Sequence, residues 1–505
     1  MNKTLKGIIA GCGVLAVLGG GLAALKLTEN PGEDSTEDSH EHMPLLWEYE
    51  NADAVSRVEI QRADGSKIAA NRKWETITDT DYSTGEQTEK QSAAFILEGY
   101  EDLPQNAANL RVLASRANSV TASAVVEENP ADLAKYGLDK PVTVTITTDN
   151  SGDITFLLGD KVPGGGYNYL QMKDNAAVYT IEEFEAEPFR SEINDLLGTE
   201  VNPKLEEDNT VIVDSVRVSR KDLDKDIYLT YDKFSAENSR SGTSAVHVMQ
   251  EPIYCLLNVE KSSKITFGIY GLTATEVVYP HPTEAQIKEC GFDDPFATVT
   301  VNTDDGKTRI FRLGGTYEKT DKDADGKETT RKYYYGMLDG VNCIYGFAPD
   351  ANEFDNVKAE DITAKIVVDD YVWDIGSLVY KAGSLTLDFK GKGTDQKDFI
   401  LRLNGEETDA ERYRLLYTYL LKTAAEDLVL DDVTLSGEPM ASVELERQDG
   451  QRGTTKIEFY DAGSLKAYIV INGTVRYRCR KSYVTTLIHN MEIYGDTDQQ
   501  FTMTW

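Results

Sequence analysis

An eleven-residue phrase recurs along the chain and sets the unit from which any fold must be built. Ala131-Asp132-Leu133-Ala134-Lys135-Tyr136-Gly137-Leu138-Asp139-Lys140-Pro141 is echoed by Ala285-Gln286-Ile287-Lys288-Glu289-Cys290-Gly291-Phe292-Asp293-Asp294-Pro295, and more faintly by Leu435-Ser436-Gly437-Glu438-Pro439. Gly137 and Gly291 lie 154 positions apart, as do Pro141 and Pro295, so two copies align without a gap. Repetition at this period marks a chain assembled from like units. The 505 residues accommodate three of them, each of a size that completes one core.

Hydrophobic periodicity fills in each unit. The first opens with the alternating strand Val55–Ile60, turns at Ala63-Asp64-Gly65, and sends Trp74 back toward the core. A helix is expected within Asn106–Ala117, where Leu110, Leu113 and Ala114 recur at three- and four-residue spacing. Four short runs follow the phrase, Val142–Thr147, Ile154–Leu158, Tyr167–Met172 and Ala177–Ile181, and read as an antiparallel meander. The second unit restates this with strands at Val211–Val218 and Ile227–Tyr231 and a helical stretch near Pro252–Phe267. Its runs Thr298–Asn302, Arg309–Leu313, Lys332–Leu338 and Cys343–Phe347 follow. Leu158-Gly159 matches Leu313-Gly314, but Tyr167 and Tyr169 match Tyr333 and Tyr335 only after an 11-residue hairpin insertion, Thr320–Thr330. In the third unit, Ala410–Ala425 presents Leu415, Leu416, Tyr419 and Leu420 as one apolar face, and a short helix closes the chain at Tyr483–Met491. The expected class is α+β: an amino-terminal membrane helix, then three related repeats, each a helix packed on a mainly antiparallel sheet. Expected boundaries are 1–27, 28–44, 45–200, 201–355 and 356–505.

Within the phrase, Leu133 and Tyr136 share one helical turn, Gly137 suits the left-handed residue that ends it, and Pro141 stops the helix. Tyr136, Gly137, Pro141, Gly291, Phe292, Pro295, Gly437 and Pro439 therefore form a structural repeat motif, a hinge from helix to sheet. This reading outweighs one in which Tyr136 and Asp139 line a binding site.

Gly7–Leu25 is a run of 19 uncharged residues between Lys6 and Lys26. At ~1.5 Å per residue it reaches about 28 Å, enough for a hydrocarbon core. An uncleaved single-pass signal anchor is favoured; cleavage after Gly21-Leu22-Ala23 and lipidation of Cys12 are the alternatives. Each exports the remainder, giving a bacterial cytoplasmic-membrane location with the bulk outside. Thr28–Pro44 carries six carboxylates and no basic residue and reads as a flexible tether, with His40 and His42 solvated rather than metal-bound. The net charge of −34 argues against nucleic acid as a partner. Cys255, Cys290, Cys343 and Cys479 read as buried thiols, with a Cys290–Cys343 disulfide as the alternative.

No phosphate loop, nucleophile elbow or zinc-protease motif is present, and the folded part holds three histidines, His247, His281 and His489. These signs favour a non-catalytic protein with no catalytic or cofactor-binding residues. Asp321, Asp323 and Asp325 with Gly326 resemble the first half of a calcium loop, but Lys332 stands where a bidentate Glu belongs, and a charged hairpin tip is the simpler reading.

The segment Tyr136–Pro141, the strand end Leu158-Gly159-Asp160 and the run Tyr167–Tyr179 together resemble the domain-of-unknown-function 4340 family of membrane-anchored extracytoplasmic proteins. The resemblance is strongest over 45–185, clear over 280–350 and weaker over 360–495. It implies location and company rather than chemistry: such proteins are commonly encoded beside ABC-type transporter components similar to those named for gliding motility. The expected role is an accessory subunit partnering a permease and related membrane subunits. An independent module binding an envelope polymer or peptide is the alternative, and an extracytoplasmic hydrolase a more distant one. Clustered Tyr333, Tyr334 and Tyr335 are compatible with the binding module.

Overall fold

The computed structural model describes residues 44–505 except 50–52, 81–83, 86, 150–151, 207–209, 239–244, 323–326 and 423–424. Residues 7–25, where the sequence places an anchor, and nearly all of the 28–44 tether lie outside the described residues. Among those described, no helix is long and apolar enough to cross a membrane.

Three antiparallel sheets follow one another, and all three are laid down by one route. In the first, the spatial order is Gln87–Leu97, Lys67–Thr80, Val55–Gln61, Val142–Thr148, Ile154–Lys161, Tyr167–Met172, Val178–Glu182 and Ala124–Glu127. In the second it is Cys255–Leu256, His247–Glu251, Ile227–Tyr231, Val213–Arg220, Ala297–Thr303, Thr308–Lys322, Glu328–Leu338, Cys343–Phe347 and Glu276–Pro280. The third runs Glu406–Glu407, Ile400–Leu403, Leu385–Lys392, Ile375–Ala382, Ala441–Arg447, Thr455–Asp461, Lys466–Ile471, Thr474–Arg480 and Asp427–Leu428. Each time the chain lays a meander outward from a central strand and crosses by a helix to the far edge. It leaves one strand there, returns to the centre through the phrase, and lays a second meander back toward that edge.

Register confirms the equivalence at single-residue level. Val58 faces Ile146, Val216 faces Val301 and Leu378 faces Leu445 across the central pairs, and all six side chains are buried. The ladder is interrupted at the same place in each copy, between Val55 and Arg57, Val213 and Ser215, and Ile375 and Ser377. Such an interruption increases local twist and bends the strand. The crossover helices Ala107–Asn118, Val259–Thr266 and Ala410–Leu421 all start at an Asn or Asp cap. Asn106, Asn258 and Asp409 accept from the backbone N–H of Asn109, Lys261 and Glu411 at 3.0–3.1 Å, satisfying donors a helix start leaves open. Leu110, Leu113 and Ala117 bury the first helix on its sheet. One apolar core runs continuously through the three units.

Several expectations need correction. Each unit opens with a meander of three or four strands, longer than a strand pair. Trp74 does not return to the core: it is 47% exposed on the outer part of a long hairpin arm, under the Arg72 guanidinium at 4.7 Å. Period two leaves every second residue of an arm that outruns its sheet without a surface to cover it. Leu415 is likewise exposed, and Tyr413, Leu416, Tyr417, Tyr419 and Leu420 form the buried face of its helix. The helix expected near Pro252–Phe267 is confined to Val259–Thr266, because Cys255–Leu256 is taken by the sheet edge. The closing helix is Lys481–Glu492, as its periodicity requires.

Candidate functional site at the junction of the second and third units

The phrase joins a helix to the sheet in its second copy alone. In the first unit only a single 3₁₀ turn, Ala134–Tyr136, precedes Gly137; in the second a helix, Glu284–Glu289, precedes Gly291; before Gly437 there is none. All three glycines are left-handed, at φ 67°, 82° and 75°. What the first two copies do is cover the sheet face opposite the crossover helix. Tyr136 and Leu138 pack with Val178 in one small cluster, and Cys290 and Phe292 with Ile344 in another, each apart from the main core. The turn is seated against a glycine of the meander: a Cβ on Gly159 would overlap the Tyr136 carbonyl oxygen, and one on Gly314 the Cys290 carbonyl oxygen. Gly315 N–H donates to that Cys290 oxygen at 2.7 Å. In the third copy Phe459 faces Ala441 as Leu158 faces Val142, so Tyr460 holds the place of Gly159, and Gly437 meets nothing within 4 Å. Loss of the seat explains why the third phrase is faint. Pro141, Pro295 and Pro439 lie just ahead of Val142, Ala297 and Ala441, the first residues of the second meanders, where a missing N–H is tolerated.

The charged chemistry gathers elsewhere, where the second unit meets the third. Arg447, at the end of its strand, is 5% exposed and meets the equally buried Asp370 at 3.0 Å, Asp449 at 2.9 Å and Asp374 at 3.7 Å. Arg452 reaches across the junction to Asp232 at 3.0 Å and stays within its own unit with Asp369 at 2.8 Å. The Phe234 ring lies under both guanidinium groups, 4.8 Å from Arg447 and 4.2 Å from Arg452. Burial lifts the Asp370 carboxyl above its ordinary range against the pull of Arg447. A cavity of about 210 Å³ opens beside this network, lined by Tyr254, Leu256, Ile366, Asp369, Arg452 and Arg476 among others. Cavities of this kind favour boundaries between units.

A lighter clasp joins the first unit to the second. His281 Nε2 is 2.8 Å from Asp102 Oδ1, its ring stacks on Tyr100 at 4.9 Å, and Asn194 donates to the Val277 and Val278 carbonyls at 3.1 and 3.0 Å. His247 is buried and bonded to the Val213 carbonyl, so two of the three histidines are engaged structurally.

Asp321 stands opposite Thr329 on the arm Thr308–Lys322/Glu328–Leu338; Asp323 and Asp325 lie outside the described residues. Thr320 and Thr330, the ends of the insertion, face one another across the same ladder. Among the described residues no three His, Cys, Asp or Glu side chains group as metal ligands. Tyr333 is buried and, with Tyr335, packs on Tyr317, as sheet tyrosines do. Cys255, Cys290, Cys343 and Cys479 are all free and buried, so Cys290 and Cys343 form no disulfide.

Sequence reasoning missed the junction. Its trace is the spacing Arg447-Gln448-Asp449, repeated at Arg220-Lys221-Asp222, where Arg220 is also buried and holds Asp222 at 2.5 Å. Arg476 leaves no trace, being one of several charged residues on an alternating strand.

The model of the family described as Domain of unknown function (DUF4340) matches residues 97–222. That stretch begins at the end of the first sheet's outer strand and ends just past the first central strand of the second, cutting across the boundary between sheets. No curated protein and no solved structure matches the chain.

Proposed function

We propose that the chain is a non-catalytic accessory subunit of an ABC-type transport complex, anchored in a bacterial membrane by residues 7–25 and presenting three units outside the cytoplasm. The observation that carries this reading is the build of the scaffold. Three sheets of one topology share a continuous core, and their junctions are clasped by the Arg452–Asp232 ion pair and the His281–Asp102 contact. At the junction of the second and third units the buried carboxylate Asp370 is committed to Arg447, and among the described residues the cavity lining holds no histidine, cysteine or serine. A carboxylate held this way braces its own unit beside the junction; a general acid or base needs a free partner. The resemblance of the phrase and of residues 97–222 to the domain-of-unknown-function family supports the company of a transporter. Isolation of the full chain from native membranes in mild detergent, after brief crosslinking, is expected to recover a permease or ATPase with it. Recovery of the chain alone refutes the proposal.

The second reading, an independent binding module, is favoured by the cavity itself. Specific retention of an envelope polymer or peptide by the purified full chain, without any membrane partner, decides for it.

A further inference from the structure

Of the three arginines at the junction, Arg447 and Arg452 are saturated by carboxylates, while Arg476 is not. Its guanidinium lies over the Tyr254 ring at 4.8 Å, and its Nε is buried without a hydrogen-bond partner among the described residues. Burial weakens the hold of the guanidinium on its proton, with only Tyr254, Tyr477 and Cys255 nearby to oppose that. A cation kept from water without an anion costs several kcal/mol in general, so folded proteins pair or expose such groups. Arg476 does neither fully: it lines the junction cavity.

We infer that this cavity is a binding site for a small organic monocarboxylate, with Arg476 receiving the carboxylate and the apolar wall receiving the body. The guanidinium fork matches a planar carboxylate by two parallel hydrogen bonds. Leu256, Ile366, Val367 and Ile471 supply the apolar side. A volume of about 210 Å³ exceeds the ~150 Å³ apolar cavity known to hold benzene, so an aromatic or branched body fits beside the charged end. Charge number follows from Asp369 and Asp370, which line the same cavity with Arg452. Those two carboxylates repel a dianion such as phosphate more than a monoanion. The position also gives binding a consequence: Tyr254 and Leu256 belong to the second unit and Arg476 to the third, so an occupant bridges the two. This inference is independent of the transport-complex proposal, because it concerns the isolated chain.

The test uses the full chain and three probes: benzoate, its neutral isostere benzamide, and inorganic phosphate, titrated calorimetrically. Benzoate is expected to bind one to one, at least about tenfold tighter than benzamide or phosphate, as a charge-assisted bidentate pair requires. Arg476→Gln is expected to erase the preference for benzoate while melting no lower than the parent without ligand, since an uncompensated charge has been removed. Ile366→Phe, which leaves Arg476 in place and fills the cavity, is expected to abolish binding. Equal affinity for benzoate and benzamide, benzoate binding unchanged in Arg476→Gln, or tighter binding of phosphate each overturns the inference. Should Arg476→Gln fail to fold, the contrast among probes in the parent chain and the Ile366→Phe result decide the matter.

Discussion

Gly314→Ala tests whether the phrase is seated by a glycine in the sheet. The added Cβ would overlap the Cys290 carbonyl oxygen and stand 3.3 Å from Phe292 Cε1. Neither neighbour is a flexible end: the first is backbone, and the second is an aromatic ring in the small cluster with Cys290 and Ile344. The turn must therefore lift. Lifting breaks the 2.7 Å bond from Gly315 N–H to Cys290, a loss of about 1 kcal/mol. It also disturbs a packed cluster, at about 1–3 kcal/mol for overpacking. The expected destabilisation is about 2–4 kcal/mol, which lowers the urea midpoint of the second unit by about 1 M at an ordinary slope for its size. Fluorescence and circular dichroism through a urea series read this out. Gly495→Ala is the control, because nothing lies within 4 Å of its Cβ; it is expected to stay within about 0.5 kcal/mol. A midpoint for Gly314→Ala equal to that of Gly495→Ala refutes the reasoning.

Arg447→Met strands Asp370 and is expected to cost about 3–5 kcal/mol near neutral pH. Because burial raises the folded-state pKa of Asp370, its contribution is fullest below the ordinary carboxylate value and is lost as pH rises through the raised one. The deficit of Arg447→Met must therefore shrink on acidification and be smaller in Arg447→Met/Asp370→Asn, which leaves only the lost contacts to Asp374, Asp449 and Phe234; a deficit independent of pH refutes the assignment. Burial pushes the Cys343 and Cys479 thiols up to about 12 and those of Cys255 and Cys290 to about 11. Dithionitrobenzoate at pH 8 is thus expected to label none of the four in the native chain and all of them in urea, as peptide mapping will show; native labelling contradicts their burial. Replacing Thr320–Thr330 by Asn-Gly, which joins the cross-strand partners Lys319 and Arg331 through a favoured hairpin turn, should leave the melting of the second unit within about 1 kcal/mol. A larger loss assigns the arm a structural role. A double-mutant cycle of Tyr100→Ala and His281→Ala is expected to give a coupling of about 0.5–1.5 kcal/mol for the stacked pair; additive losses place the holding force of that junction elsewhere.

Much of the fold was legible because it is local. Val142–Thr148 and Tyr167–Met172 advertise their strands by period two, and Leu110, Leu113 and Ala114 advertise a helix whose buried face proves to be Leu110, Leu113 and Ala117, with Ala114 half-buried. The outward meanders were harder to see. Cys255–Leu256 pairs only at a sheet edge, and the Trp74 arm alternates as a buried strand would while its outer half faces solvent. The phrase was read with the right backbone and the wrong surroundings: its left-handed glycines follow from the turn itself. Its burial follows from Gly159 and Gly314, more than twenty residues later in each unit. The junction was not legible at all, because Arg452 meets Asp232 across 220 positions, and no pattern in an acidic chain distinguishes that carboxylate from its neighbours.

The sequence by itself determined the repeat, the places where strands and crossover helices form, and the turns that must be glycine, since these depend on spacing and on backbone sterics within a few residues. Only the tertiary structure decided which face each element covers and which charges meet. It also decided that Arg476 is left lining a cavity without an anion, because partnership and burial are fixed by long-range packing of the sheets.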